Sequence, residues 1–394
     1  MRIAFFMAPL LNHGGGAEKF FIEVSNEMSK RGHKVSIINL DKSFYNKLSF
    51  ILSIYYRGRF HYHSKLKYRY TDKQIKKGLK GIEWIKINLR NLKKVLQDFD
   101  VIYVKNEILD LGVLKLIRFS KLLPIIVGVH TPIYYSIVNS FQDKFHNFLY
   151  LGPFYKWLLK DCASIHIPNS DDELFVKKHF SRLRGKIFKI FYPFDCNIFK
   201  PSEIKRRDNK FRILFVGRLT EQKGVDVLVK IIKRLSAISI FKDLHFAIAG
   251  SGELDKEIGR LTGKFRNINY LGHVSQEKMS QIYSSNDILI APSRYEMLPW
   301  VSLEAQSYGL PVIVSDIPGP RDIIISGETG FLVENKPENF IDKIEYLCTL
   351  KRESLERFSE FCRKAREHIQ EKFEPTKIYN QLENMFEVVS NAKK

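Results

Sequence analysis

The sequence predicts an α/β protein built from two consecutive domains, each a mostly parallel sheet with helices on both faces. Two observations carry this. Short, continuously apolar runs alternate with amphipathic stretches of helical period, and the alternation stops near residues 192–210 and then restarts. Strands that are apolar throughout are those buried on both faces, as in a parallel sheet covered by helices. The 394 residues suffice for two domains of ordinary size, each with its own core.

The first alternation opens with RIAFFMAP, then Asn12-His13-Gly14-Gly15-Gly16, then an amphipathic stretch from Ala17 to Arg31: strand, glycine loop, helix. HKVSIINL (33–40), DVIYVKN (100–106), PIIVGVH (124–130) and SIHIPNS (164–170) read as further buried strands. Helical patterns lie at Leu109–Lys121 and Asp171–Phe180. Residues 42–80 are basic and aromatic and match no regular unit. Pro193, Pro201 and the charged run 203–210 form a linker. The second alternation runs FRILFVGRL, a helix Val225–Ser236, LHFAIAGSG, NINYLGHV, DILIAPS, a helix around Ser302–Tyr308, PVIVSD and GFLV. Helical sequence follows from Glu338, with a last amphipathic helix over Phe373–Lys393. The expected division is 1–195, 196–374 and a C-terminal helix 375–394.

The composition is that of a globular chain, at 44% hydrophobic and 27% charged residues. Cys162, Cys196, Cys348 and Cys362 are scattered, which speaks against a disulfide framework or a zinc cluster and fits a reducing, cytoplasmic setting. No stretch approaches the ~18–20 apolar residues of a membrane span, so a soluble or peripheral protein is expected. The net charge of +21 is uneven. Residues 1–200 carry 34 Lys and Arg against 16 Asp and Glu, and residues 42–94 carry 15 against two. Such asymmetry points to a polyanionic partner, with an anionic membrane surface favoured; a merely solvated basic face is the alternative. No nucleic-acid module is legible, so no nucleic-acid partner is expected.

Three motifs carry chemistry. SRYEMLPWVSLEAQSYGLPVIVSD (293–316) sets Glu296 and Glu304 eight apart around Pro299, which places Glu296 in a loop and Glu304 in the following helix. Ionised carboxylates there suit vicinal hydroxyls, since each accepts several O–H donors. FVGRLTEQKGVDVLV (215–229) brings Arg218 and Lys223 between a buried strand and a helix N-terminus, a junction suited to a pyrophosphate. Gly14-Gly15-Gly16-Ala17-Glu18 lets backbone approach a phosphate or sugar, or forms a plain turn. His130 ends a buried strand, where doubly wound sheets place ligands, although a lone histidine is more often structural. Asp98-Phe-Asp100 has a metal–nucleotide spacing but opens a strand in the first half, and solvated acids at a helix end are the better reading. His61-Tyr-His63 lacks companion ligands.

The 293–316 segment resembles the E-x7-E signature of family 4 of the retaining glycosyltransferases, matching at Glu296, Leu298, Pro299, Val301, Leu303, Glu304 and Ala305, with Met297 where that family usually has glycine. The 215–229 segment is similar to the family's G-R-x4-K-G motif, and residues 14–18 to its G-G-A-E loop. The resemblance implies the GT-B fold: two Rossmann-like domains facing a central cleft, with the last helix crossing back to the first. It also implies a metal-independent, retaining hexosyltransferase using a UDP- or GDP-linked sugar, and needing no cofactor, that acts on a glycan or lipid-linked acceptor at the cytoplasmic membrane face. Another GT-B enzyme, such as a phosphorylase or epimerase, and a non-catalytic binding protein are the alternatives. By the same resemblance His130, Arg218, Lys223 and Glu296 are the catalytic group. The donor would be bound by Gly15, Gly16, Arg218, Lys223, Gly250, His273, Glu296, Met297, Leu298, Pro299 and Glu304. Asn169, Ser170 and residues 319–330 also follow the family pattern.

Overall fold

The computed structural model describes residues 1–8, 16–41, 72–117, 123–135, 138, 141–180, 183, 187–199 and 209–392. They fall into two compact units, Met1–Pro193 with Thr376–Lys394, and Phe194–Pro375.

In the first unit the elements are β1 (Arg2–Met7), α1 (Gly16–Lys30), β2 (Lys34–Leu40), α2 (Asp72–Gly78), β3 (Glu83–Ile87), α3 (Leu89–Leu96), β4 (Val101–Lys105), α4 (Ile108–Leu116), β5 (Ile125–Gly128), α5 (Phe141–Leu151), α6 (Pro153–Leu159), β6 (Ser164–Ile167), α7 (Ser170–His179) and β7 (Ile187–Lys189). The strands pair in parallel in the order β3-β2-β1-β4-β5-β6-β7. β1 buries five residues in succession, Ile3 to Met7, because it lies mid-sheet with helices on both faces. α1 covers it with Phe20, Phe21, Val24 and Met28, the spacing of one helical face. α7 is capped at Asn169, whose side chain accepts from the Asp172 N–H at 2.8 Å. Its first turn is acidic and its last basic, as the helix dipole favours.

The second unit holds β8 (Phe211–Val216), α8 (Val225–Leu235), β9 (Leu244–Ala249), α9 (Asp255–Lys264), β10 (Ile268–Gly272), α10 (Gln276–Ser284), β11 (Ile288–Ala291), α11 (Trp300–Ser307), β12 (Val312–Ser315), β13 (Gly330–Val333), α12 (Pro337–Glu353) and α13 (Leu355–Lys372). Its sheet is also parallel, in the order β10-β9-β8-β11-β12-β13. Ile213, Phe215, Phe246, Ile248 and Ile290 meet Leu228 and Ile232 of α8 in one core.

The last helix, α14 (Pro375–Asn391), belongs with the first unit. It buries Ile378, Leu382, Met385, Phe386 and Val389, one stripe of a helix. Phe386 packs edge-on against Phe5 at 5.8 Å and Tyr103 at 6.0 Å. The Glu383 carboxylate takes Arg31 at 2.6 Å and His33 at 2.7 Å.

Several expectations needed correction. Edge strands β3 and β7 were not anticipated: β3 is half-exposed and β7 has three residues, so neither shows a buried run. α2 lies within the stretch expected to have no regular unit, and residues 42–71 lie outside the described residues. Asp98, just past α3, is exposed as expected, whereas Asp100, with 38% of its side chain exposed, is tied to Arg2. It immediately precedes β4, the strand next to β1, and accepts from the Arg2 backbone N–H at 2.7 Å and its guanidinium at 3.0 Å. Burial opposes that charge, but the Arg2 bonds outweigh it and hold the carboxyl below its usual range. This tie sits at the amino ends of the strands, away from the edge where such sheets bind ligands.

Candidate donor and sugar sites

In an open parallel sheet the ligand crevice forms at the carboxyl ends of two neighbouring strands whose connections leave in opposite directions. In the second unit these are β8 and β11, since β8 lies between β9 and β11. Arg218 and Lys223 follow β8, and Glu296 follows β11. The Lys223 ammonium donates to Glu296 Oε1 at 2.5 Å, and Ser293 Oγ donates to the same oxygen at 2.8 Å. Both side chains are partly buried, at 20% and 14% exposure, so this pair is screened less than a surface one. Both bonds fall on Oε1. Arg218 is exposed and donates to Gln222 Oε1 at 2.9 Å.

Arg294, which the sequence did not single out, joins the two loops. It forms a bidentate pair with Asp226 at 2.7 and 2.8 Å, its backbone N–H donates to the Gln222 carbonyl at 2.9 Å, and its guanidinium also donates to the Glu221 carbonyl. These bonds fix the Lys223 loop against the Glu296 loop.

Glycines make the approach possible. A Cβ on Gly250, at φ +140°, would lie 1.7 Å from the Gly217 carbonyl oxygen, so the loops after β8 and β9 meet backbone to backbone. Gly224, at φ +71°, is held as closely against the Pro292 carbonyl. Met297, Leu298 and Pro299 are buried, and Pro299 caps α11, which carries Glu304. Glu296 thus lies in the loop and Glu304 on the helix, where its Oε2 accepts from Tyr283 OH at 2.7 Å. His273 is exposed just beyond β10. Gly16 opens α1, and Gly15 lies outside the described residues.

In the first unit the reversal falls between β1 and β4. Asn106, fully buried after β4, holds the end of β5: its Oδ1 accepts from the His130 and Thr131 N–H groups at 3.0 Å each, and its Nδ2 donates to the Thr131 carbonyl at 2.6 Å. His130 is half-buried, and both ring nitrogens are engaged, Nε2 with Tyr103 OH at 2.9 Å and Nδ1 with Tyr192 OH at 2.7 Å. The chain of bonds has one consistent polarity. His166 Nε2 lies 2.7 Å from the Ile190 carbonyl and so donates, leaving Nδ1 to accept from Tyr103 OH at 2.6 Å. Tyr103 oxygen then accepts from His130 Nε2–H, and His130 Nδ1 accepts from Tyr192 OH at 2.7 Å, the shorter of that hydroxyl's two contacts, the other being the Val129 carbonyl at 3.1 Å. Burial pushes His166 down to about 4, and burial, with His166 and Lys105 nearby, holds His130 well below the usual histidine range. Both rings are neutral at pH 7. Phe20 packs at 4.8 Å from the His130 ring and Tyr192 stacks on it at 5.1 Å. His130 lies within this network, between Tyr103 and Tyr192; Tyr103, Asn106, His166 and Tyr192 were not read from the sequence, since each lies inside an ordinary strand or loop pattern. Among the described residues no group of three or more His, Cys, Asp or Glu is placed to hold a metal.

Comparison with known proteins agrees with this architecture. The family profile described as "Glycosyl transferases group 1" matches residues 198–365, and "Glycosyltransferase Family 4" matches residues 14–187. An uncharacterized glycosyltransferase of Haemophilus influenzae is 26% identical over 354 residues, 88% of this chain and 90% of that one. An uncharacterized 41.2 kDa protein in the cps region of Klebsiella pneumoniae is 32% identical over 151 residues, 37% of this chain and only 38% of that protein. Among solved structures, Anabaena HepE in complex with UDP superposes with a TM-score of 0.72 at 16% identity, over 98% of this chain and 100% of that one; it has also been solved with UDP-glucose.

Proposed function

The chain is a GT-B glycosyltransferase of the family-4 type, and we propose that it moves a hexose from a UDP- or GDP-linked sugar to a glycan or lipid-linked acceptor, with retention of configuration and without a metal ion. The observation that carries this is the Lys223–Glu296 pair at the β8–β11 reversal, beside Arg218 and the glycine-lined backbone of residues 217 and 250. It supports a site where cations meet a leaving diphosphate while a carboxylate meets the sugar.

In this reading the bond from the anomeric carbon to the diphosphate oxygen breaks as the acceptor oxygen bonds the same face. The acceptor's proton passes to a phosphate oxygen. Lys223 and Arg218 stabilise the negative charge that collects on the diphosphate, the task a divalent ion performs in other transferases. Glu296 Oε2 accepts from a donor-sugar hydroxyl, and Glu304, oriented by Tyr283, accepts from the ribose. His130, both of whose nitrogens are engaged by Tyr103 and Tyr192, presents a neutral ring that in this reading packs against a sugar without burying a charge.

In this proposal the acceptor lies at an anionic, cytoplasmic membrane face. The basic excess of residues 42–94 supports this, and its described part exposes Lys76, Lys77, Lys80, Lys86, Arg90, Lys93 and Lys94. No described helix is long and apolar enough to cross a membrane. UDP-glucose, the ligand of the Anabaena structure, is the first donor to test. Incubation with nucleotide sugars in excess chelator should release nucleoside diphosphate, and product NMR should show the donor's anomeric configuration. Release that needs added manganese or magnesium, or an inverted product, would overturn the mechanism.

A further inference from the structure

α5 and α6 turn opposite faces to different surroundings. Inward, His146, Tyr150, Tyr155, Leu158 and Leu159 are buried, with His146 stacked on Tyr150 at 4.2 Å and Tyr150 packed on Tyr155 at 4.7 Å. Outward, α5 shows Phe141, Phe145 and Phe148, exposed by 81%, 43% and 72%. Their spacing of four and three residues puts them on one helical face. α6 shows Phe154 and Trp157, each 50% exposed and stacked together at 5.9 Å. Five large aromatic rings within 17 residues stand in water although the inner face of the same helices is well packed. Exposed apolar clusters of this kind mark interaction sites.

The charges around the rings say what the partner is. Lys144, Lys156 and Lys160 are exposed on the same two helices or at their end. Lys115 Nζ lies 4.7 Å over the Trp157 ring and pairs with Asp161 at 2.5 Å, which offsets one of the two acids of this stretch. We propose that this face is a membrane-docking surface that inserts its phenylalanines and Trp157 into the headgroup zone of an anionic bilayer, with the three lysines on lipid phosphates. Aromatic rings favour that zone, and lysines near an anionic surface add to the binding. A second copy of the chain fits less well, because a symmetric contact would bring the like-charged lysines face to face. The surface is built from helices distinct in sequence from residues 42–94 and from the loops that carry Lys223 and Glu296. It rests on the membrane-face reading above for its purpose only; its support is the exposure and charge of these two helices.

The test uses the full chain and two vesicle types, phosphatidylcholine alone and phosphatidylcholine with phosphatidylglycerol. Wild type should sediment with the anionic vesicles only, and its Trp157 emission should shift to the blue. Trp157→Phe should keep sedimentation and lose most of that shift. Phe141→Ser, Phe148→Ser and Trp157→Ser combined should lower partitioning by about tenfold or more, while the thermal shift with UDP-glucose stays unchanged. If the triple variant is misfolded, Lys144→Glu with Lys160→Glu gives the same reading through charge. Wild type left in the supernatant with anionic vesicles would overturn the proposal, as would folded variants that sediment like wild type. A solution dimer that the serine substitutions dissolve, without vesicle binding, would assign the face to a second copy instead. Vesicle binding needs no donor and the donor shift needs no vesicle, so failure of this inference and failure of the transferase reading are told apart.

Discussion

The carboxyl edge of the second sheet is polar and partly open, with Lys223 and Glu296 paired at 20% and 14% exposure, whereas that of the first is closed over by Phe20, Tyr103, His130, His166 and Tyr192. The two edges share a topology, a parallel sheet with one reversal of strand order, but solve different problems. The second edge gathers cations and lets backbone approach backbone, which suits a group that arrives with charge. The first fixes a neutral imidazole in a chain of hydrogen bonds, which suits a neutral hydroxylated ring. Fold alone would not have told them apart.

The largest way to break this contrast lies in the second unit. Lys223→Ala and Arg218→Ala should each lower turnover by about two to three orders of magnitude, the usual loss when one stabiliser of developing negative charge is removed. Turnover of both variants near wild type would refute their roles. Next come the glycines. Gly250→Ala forces a methyl into the Gly217 carbonyl at a positive φ, and backbone on both sides leaves no room to relax. A loss of about 3 kcal/mol or more is expected. The atoms nearest a Cβ on Gly128 belong to the Tyr103 side chain, whose hydroxyl would lie 2.0 Å away; a side chain can shift where backbone cannot, so Gly128→Ala should cost less, about 1–3 kcal/mol. Equal losses at the two sites by chemical denaturation would contradict the distinction between a backbone contact and a side-chain one.

Tyr103→Phe should cost about 1–3 kcal/mol, because it leaves the His130 Nε2–H and the His166 Nδ1 without their partner. The smallest effect at neutral pH is that of His166. Its folded value of about 4 lies below the ordinary 6.5, so its neutral form stabilises the fold in full above pH 6.5. That contribution is lost as pH falls from 6.5 toward 4. His166→Gln should therefore flatten the acid limb of the stability curve, and an unchanged limb would show that His166 is not the buried group that titrates.

The same contrast explains what could be read from the sequence. At the second edge the glycines, Arg218, Lys223 and Glu296 lie in short contiguous segments, since each loop answers to local backbone rules. Pro299 alone was enough to separate Glu296 in the loop from Glu304 on α11. Arg294 escaped notice because its partners, Asp226 and the 221–222 carbonyls, are some seventy residues away. The first edge was nearly illegible. Tyr103 and His166 occupy ordinary positions in apolar strands, and only the packing of β4, β5 and β6 side by side joins them to His130. β3 and β7 were missed for a related reason, as edge strands lack the double-sided burial that writes an apolar run.

In the proposed mechanism Lys223 and Arg218 hold the diphosphate of a nucleotide sugar without help from a metal ion. Thermal denaturation with UDP-glucose and GDP-linked sugars, in excess chelator, tests it most directly, because a ligand that binds the native state raises the melting temperature by mass action. A concentration-dependent rise with at least one donor is expected for wild type, and little or none for Lys223→Ala. No rise with any of them, or an equal rise in the variant, would contradict it.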